Sequence, residues 1–431
     1  MYREIVEQLA AWKEKADKQP LLITGPKAVG KTTIIKEFGG EHYKKLIWVD
    51  LQKDKDNFIH KGELLRKNFD EEAKKYIGIN EKKEDILIVF DHFNPEKAGE
   101  HTAADIIRFI VYTLMDYNIC LITSFSVKKF LLPQGLLEKL DIYYMQPVSL
   151  KEFFVINNDR ALLEAVENNA KESLSAEMLE KIRLYIKVYF ITGGMPQVIQ
   201  TYMDTRNLAE VNAARIRVYQ AYLGEINSIP DMKFRAKVHQ IYSGIADRLD
   251  SQDKIFKFGL SACLTGINSW KQALEWLQDR QMIIKTETLR EVAKPLKDSK
   301  RKRGFKLYYN DIGMLTYTYG LQFADLVKIN YPYELKNRAL IEQFVLQQLL
   351  VSEMKGIPYC WIGSEGECIE FICESKDEII PLKISCGNNE SKVINEYQTK
   401  YHPNLFISVT DDIIEAAEPV LKIPSFAVWN L

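Results

Sequence analysis

The stretch Leu21-Leu22-Ile23-Thr24-Gly25-Pro26-Lys27-Ala28-Val29-Gly30-Lys31-Thr32-Thr33 runs from an apolar tetrapeptide straight into the pattern G-x-x-x-x-G-K-[ST]. The tetrapeptide predicts a buried strand, and the residues from Lys31 predict a helix. Between them the glycines let the backbone curl so that successive N–H groups face one anion, to which the helix adds the positive end of its dipole. In that arrangement Gly25, Pro26, Lys27, Ala28, Val29, Gly30, Lys31, Thr32 and Thr33 cradle phosphate. Lys31 reaches the β and γ phosphates of a nucleoside triphosphate, and the Thr32 hydroxyl holds Mg²⁺. A glycine turn that only happens to match the pattern is the competing reading, and the order strand, loop, helix speaks against it.

Working outward, residues 2–17 carry Ile5, Leu9, Ala10 and Trp12 near helical spacing. The helix after the loop is expected to end at Gly39-Gly40. Residues 45–51 (KLIWVDL), 86–90 (ILIVF), 119–123 and 141–145 read as further strands, with a polar, helix-prone stretch from 52 to 83 and a helix over 103–117. Alternation of strand and helix predicts an α/β fold with a parallel sheet over residues 1–150. From 151 to 250 apolar positions recur at helical spacing, broken at Gly193-Gly194-Met195-Pro196, which predicts a helical lid. A helix over 269–280 followed by strands at 282–286 and 305–309 suggests a winged helix in 251–330. A long helix over 339–353 and short β-like runs then mark 331–431 as a separate C-terminal α/β domain.

Asp91 ends an apolar strand 60 residues after Lys31, which suits the second magnesium contact, the Walker B position. The next residue in hydrolysing enzymes of this type is usually a glutamate that polarises the attacking water; here it is His92. A neutral imidazole accepts a proton but lacks the fixed negative charge. Lys31, Asp91 and His92 are therefore the candidate catalytic residues, and Thr32 and Asp91 the candidate magnesium ligands. Ser124, at the end of the fourth strand, is a candidate contact for the γ phosphate; the alternative is that Ser124 and Ser126 cap a helix starting near Val127.

The 431 residues include 58 Lys and Arg against 59 Asp and Glu, a net charge of −1, so no global field draws the chain to nucleic acid or an anionic membrane. No run approaches the ~20 apolar residues of a membrane span, and the charged start MYREIVEQLAAWKEK lacks a signal peptide's apolar core. A cytoplasmic protein without membrane contact is expected. The six cysteines, at 120, 263, 360, 368, 373 and 386, fit no zinc-site spacing and read as reduced thiols.

The order of motifs resembles the bacterial and archaeal AAA-type ATPases, related to the archaeal ATPases of the STAND branch, that join a P-loop domain to a C-terminal domain of restriction-endonuclease-like fold. The family's GPRQVGKTT appears here as GPKAVGKTT, and its PLSFxEF as Pro147-Val-Ser-Leu-Lys-Glu-Phe153. Its GGMPE appears as Gly193-Gly-Met-Pro-Gln197, its LDWL as Leu274-Glu-Trp-Leu277, its PLK as Pro295-Leu-Lys297, and its FKLYxxDxGLL as Phe305 to Leu315. The resemblance implies a P-loop sheet of the ASCE/AAA type with helical lid, winged helix and nuclease-like domain, and ATP with Mg²⁺ as ligands. Two departures stand out. The family's DE is Asp91-His92, which puts hydrolysis in doubt, and its EVDF and PIEVK are Cys368-Ile-Glu-Phe371 and Pro381-Leu-Lys-Ile-Ser385. Glu370 takes the aspartate's place, Lys383 the glutamate's and Ser385 the lysine's, so nuclease chemistry is not expected.

Lys294, Lys297, Lys300, Arg301, Lys302, Arg303 and Lys306 form a basic loop, 294–306, that reads either as a DNA-backbone contact or as a solvated hairpin. Three functions follow. The first is an ATP-binding regulatory switch with weak or absent hydrolysis and an unidentified protein partner. The second is a competent ATPase whose base is His92 or another group such as Glu152. The third is a DNA-binding module with structural nucleotide.

Overall fold

The computed structural model describes residues 1–52, 82–97, 103–114, 116–168, 174–251, 254–256, 266–327, 338–354, 356–375, 378–385, 392–410, 415–417 and 419–431. The helix-prone stretch after residue 52, Cys263 and Cys386 lie largely or wholly outside them. The chain divides into two compact units, one of Arg3–Gln146 with Asp279–Gln281, the other of Met1–Tyr2, Pro147–Gln278 and Met282–Leu431.

The first unit is built on five parallel strands: β1 (Leu21–Thr24), β2 (Lys45–Asp50), β3 (Ile86–Asp91), β4 (Asn118–Thr123) and β5 (Asp141–Tyr144), in the order β2-β3-β4-β1-β5. Every residue of β1, β3 and β4 is buried, because helices cover both faces of a parallel sheet; the half-buried β2 and β5 are its edges. Leu22, Ile88, Phe90 and Leu121 pack with Ile107 and Ile110 of the Ala103–Thr113 helix, and with Leu114 just after it, to form the core. The Lys31–His42 helix runs through Gly39-Gly40 rather than stopping there. A Cβ on Gly39 would stand 2.9 Å from Leu46 Cδ1, so this glycine serves close approach of helix to sheet, not termination.

The second unit joins a helical region to one mixed sheet of eight strands, in the order β12-β13-β11-β10-β9-β8-β6-β7. Its strands are β6 (Ile283–Leu289), β7 (Lys300–Tyr309), β8 (Tyr359–Ile362), β9 (Cys368–Glu374), β10 (Ile379–Ile384), β11 (Phe406–Thr410), β12 (Glu415–Ala417) and β13 (Val420–Pro424). The β6–β7 ribbon, which the sequence places in a winged helix ending near residue 330, pairs through Thr288 and Leu289 with Cys360 and Trp361 of β8. One sheet therefore crosses the expected boundary, since a two-stranded ribbon alone buries too little to stand by itself.

Three of the family-like segments meet in one buried knot of this unit. Asp311, 1% exposed, accepts from the N–H groups of Gly194 (2.6 Å) and Gly313 (2.8 Å) and from Gln347 Nε2 (3.3 Å). Gln347 also bonds Tyr189 Oη, which donates to Val148 O at 2.5 Å. Gly193 has φ +62°, and a Cβ there would lie 2.0 Å from Asp311 Oδ1. Burial pushes the Asp311 carboxyl up to about 6 despite these donors. The motifs around 147, 193 and 311 hold the fold together.

Candidate functional site

The carboxyl ends of β1, β3 and β4 lie side by side, which is where ligands of open parallel sheets bind. Gly25 cannot carry a side chain, because a Cβ would stand 2.1 Å from the Met145 carbonyl oxygen. Ala28 and Gly30 turn the loop with φ of +67° and +93°, and Gly30 leads into the Lys31–His42 helix. Gly25, Pro26 and Val29 are buried; Lys27, Gly30 and Thr32 are half-buried; Ala28 and Thr33 are exposed.

Lys31, 6% exposed, donates through Nζ to the carbonyls of Gly25 (2.7 Å) and Pro26 (2.6 Å) and so folds back over the loop that it would serve. Thr32 Oγ1 donates to Asp91 Oδ2 at 3.0 Å, which brings the two candidate magnesium ligands together as the sequence predicts. A hydroxyl and a carboxylate oxygen suit a hard cation.

His92 has φ +58°, a left-handed conformation uncommon outside glycine and a mark of functional positions. Its N–H donates to Asp91 Oδ1 at 2.8 Å, and its ring Nδ1 lies 3.0 Å from Asp50 Oδ1. Asp50 is the residue opposite Asp91 across the β2–β3 ladder. Sequence reading missed Asp50, although an aspartate closing the strand KLIWVD, as Asp91 closes ILIVFD, is the signal that points to it.

Thr123 is engaged in the fold, donating to Phe93 O at 2.8 Å, whereas Ser124 is half-buried at the strand's end. Ser126 precedes the Val127–Phe130 turn but makes no side-chain cap. Arg3 is a second residue that sequence reading missed. Its guanidinium, 4% exposed, donates to Val29 O in the loop (2.9 Å) and to Gln146 O (2.6 Å), bracing the phosphate loop against the end of the β5 segment. Arg3→Ala leaves those carbonyls short of a donor, so nucleotide affinity should fall by about tenfold, the equivalent of ~1.4 kcal/mol, as read by titration with a Mg-ATP analogue.

Elsewhere the geometry redirects two expectations. Glu152, a candidate base, is the third residue of a capping box: its Oε2 accepts from Ser149 N–H at 2.9 Å, and Ser149 Oγ accepts from its own N–H at 3.1 Å. It is 5% exposed and caps the Leu150–Ile156 helix. The basic segment is only in part a loop, since β7 begins at Lys300: Lys294 Nζ donates to Ser375 O (3.0 Å), Leu296 N–H to Glu374 Oε2 (3.1 Å) and Arg301 Nε to Leu289 O (3.1 Å), while Lys294, Lys297, Lys300 and Arg301 stay exposed. Lys306 is fully buried against Glu342, and the side chains of Lys302 and Arg303 lie outside the described residues.

In the sheet of eight, Glu370 is 4% exposed and accepts from Lys383 Nζ (3.0 Å) and Ile384 N–H (3.0 Å), while Ser385 Oγ shares a hydrogen bond with Ser408 Oγ. Lys383 also donates to Cys368 O at 2.8 Å. Among the described residues no group of three or more His, Cys, Asp or Glu side chains could hold a metal ion, and no helix is long and apolar enough to cross a membrane.

The five-stranded order, the phosphate loop after β1 and the Thr32–Asp91 pair lie within a stretch that is similar to a known family. Residues 17–154 match the AAA domain family, and residues 183–325 match a family described as a domain of unknown function (DUF8612). No curated protein matches the chain. Among solved structures it is similar to C. elegans PCH-2, at 13% identity over 50% of this chain and 68% of that one, with a TM-score of 0.31. It is also similar to the Thermotoga maritima RuvB Holliday junction branch migration motor, at 14% identity over 66% and 90% of the two chains, with a TM-score of 0.29. Drosophila ORC bound to DNA gives 13% identity, 73% and 94% coverage, and a TM-score of 0.28. At these scores the likeness has no bearing on activity or partners.

Proposed function

We propose that the protein is an ATP-binding switch: its AAA-type domain holds Mg-ATP with weak or absent hydrolysis, and its remaining parts recognise a partner. The observation that carries this reading is the Thr32–Asp91 hydrogen bond at 3.0 Å beside a histidine where a glutamate would activate water. Lys31 releases the loop carbonyls to meet phosphate, the loop N–H groups take the remaining phosphate oxygens, and Thr32 and Asp91 hold the cation. Mg²⁺ held by Thr32 and Asp91 would supply charge neutralisation to the phosphates.

The order helix (Arg338–Leu349), three-stranded meander β8–β9–β10, helix (Lys392–Tyr401), parallel β11 supports the reading of the C-terminal part as a nuclease-like core. Glu370, the carboxylate that stands where a cutting enzyme would hold metal, is taken here by Lys383. That supports recognition without cleavage.

One observation favours a second reading, the competent ATPase. Asp50 3.0 Å from His92 Nδ1 orients the imidazole and leaves Nε2 as an acceptor for water. Single-turnover release of γ phosphate under saturating Mg-ATP separates the two. The switch reading expects tight binding, lost in Lys31→Ala, and a release rate close to that variant's; a rate well above it would establish the enzyme.

A further inference from the structure

Three residues from far along the chain belong to the nucleotide-binding unit: Asp279, Arg280 and Gln281. Gln281 takes the left-handed φ of +54°, which turns its side chain onto the end of β1. There its Nε2 donates to Thr24 Oγ1 at 2.8 Å and to Ser124 O at 3.4 Å. Thr24, fully buried, is the residue immediately before Gly25, and its hydroxyl passes the contact on by donating to Phe125 O at 2.7 Å. One amide thus ties the root of the phosphate loop to the tip of β4.

Arg280 holds a third place. Its guanidinium pairs with Glu96, four residues beyond His92 in the turn that follows β3, and lies 4.9 Å over the Phe125 ring. Lys129 bridges Glu96 (3.3 Å) to Asp279 (3.0 Å), and the Asp279 carbonyl accepts from Ser126 N–H at 2.7 Å. Although burial opposes it, Arg280 and Lys129 hold the Glu96 carboxyl below the usual glutamate range, so the cluster stays ionised at neutral pH.

The three places gripped are the root of the phosphate loop, the end of β4 at Ser124 and the turn after Asp91-His92. The last two are the segments that a γ phosphate would meet and that a diphosphate would leave untouched. We propose that Gln281 and Arg280 are positioning residues of the nucleotide site, fixing these segments so that the unit distinguishes ATP from ADP. The inference rests on the reading that this unit binds Mg-ATP. A purely structural staple would stabilise the fold and treat the two nucleotides alike; a device that sets the γ-phosphate side acts on one of them.

Isothermal titration of the full-length chain with Mg-ADP and with a non-hydrolysable Mg-ATP analogue tests it in Gln281→Ala and Arg280→Ala. A coupling of ordinary size predicts that affinity for the ATP analogue falls about tenfold while affinity for ADP changes by less than about twofold. Arg280→Lys, which keeps a cation opposite Glu96, should recover part of the loss, and it provides the readout if an alanine variant does not fold. Equal losses for both nucleotides, or no loss for either, overturn the proposal and leave the nucleotide-binding reading standing. A wild-type chain that binds neither nucleotide overturns both.

Discussion

His92→Glu is expected to raise single-turnover release of γ phosphate by about 10²–10⁴-fold, the usual worth of a positioned general base. The backbone already places residue 92 beside the proposed cation ligands: its N–H bonds Asp91 Oδ1 at 2.8 Å, and Asp91 Oδ2 meets Thr32. What the wild type lacks at that point is a fixed negative charge to draw a proton from water. Asp50 complicates the exchange, because its carboxylate 3.0 Å from the imidazole would repel a glutamate. Asp50→Asn combined with His92→Glu removes that repulsion and should give the larger gain. Nucleotide affinity is measured alongside, so that a change in rate is not mistaken for a change in occupancy. If the wild type already turns over quickly and His92→Glu slows it, His92 is itself the base and the switch reading fails.

Lys306→Ala is expected to cost about 3–5 kcal/mol of stability, because it strips a buried carboxylate of a partner while the other charge stays in place. Lys306 is fully buried and donates to Glu342 Oε1 at 2.8 Å; Glu342, 1% exposed, also accepts from Lys254 and Tyr308. Replacing both partners, as Lys306→Met with Glu342→Gln, should cost less, since no fully buried charge remains and Lys254, which loses its carboxylate, is 18% exposed and reaches water. Urea unfolding followed by circular dichroism measures both. Burial works against the Glu342 carboxylate, but Lys306 and Lys254 outweigh it and hold the group well below the usual glutamate range. Its stabilisation is therefore present above the unfolded-state value near pH ~4 and lost as the pH falls further. The gap between wild type and Lys306→Ala should narrow on acidification.

Much of the nucleotide-binding unit was legible in the chain because its signals are local. Four buried residues followed by a glycine-rich turn and a helix announce themselves within a dozen positions, and strands buried on both faces, such as ILIVFD and NICLIT, are continuous apolar runs. Asp91 and Thr32 were found because each stands at a fixed place relative to such a run. The basic loop was harder to read. Lys294 and Arg301 are exposed like solvated charges, each giving one donor to a backbone carbonyl, whereas Lys306, further along β7, is buried on a glutamate 36 residues away.

The sequence by itself determined the glycine-rich loop, its flanking strand and helix, the aspartate that closes β3 and the histidine that follows it. Those features depend on neighbours within a few residues, where backbone geometry leaves little choice. Only the tertiary structure decided that Asp50 faces His92, that Arg3 braces Val29, and that Gln281 reaches Thr24 across 257 positions. The Asp50–His92 contact follows from the register of β2 on β3, and the other two rest on buried donors and acceptors that cannot be left unpaired; no local pattern records which distant residue answers that need.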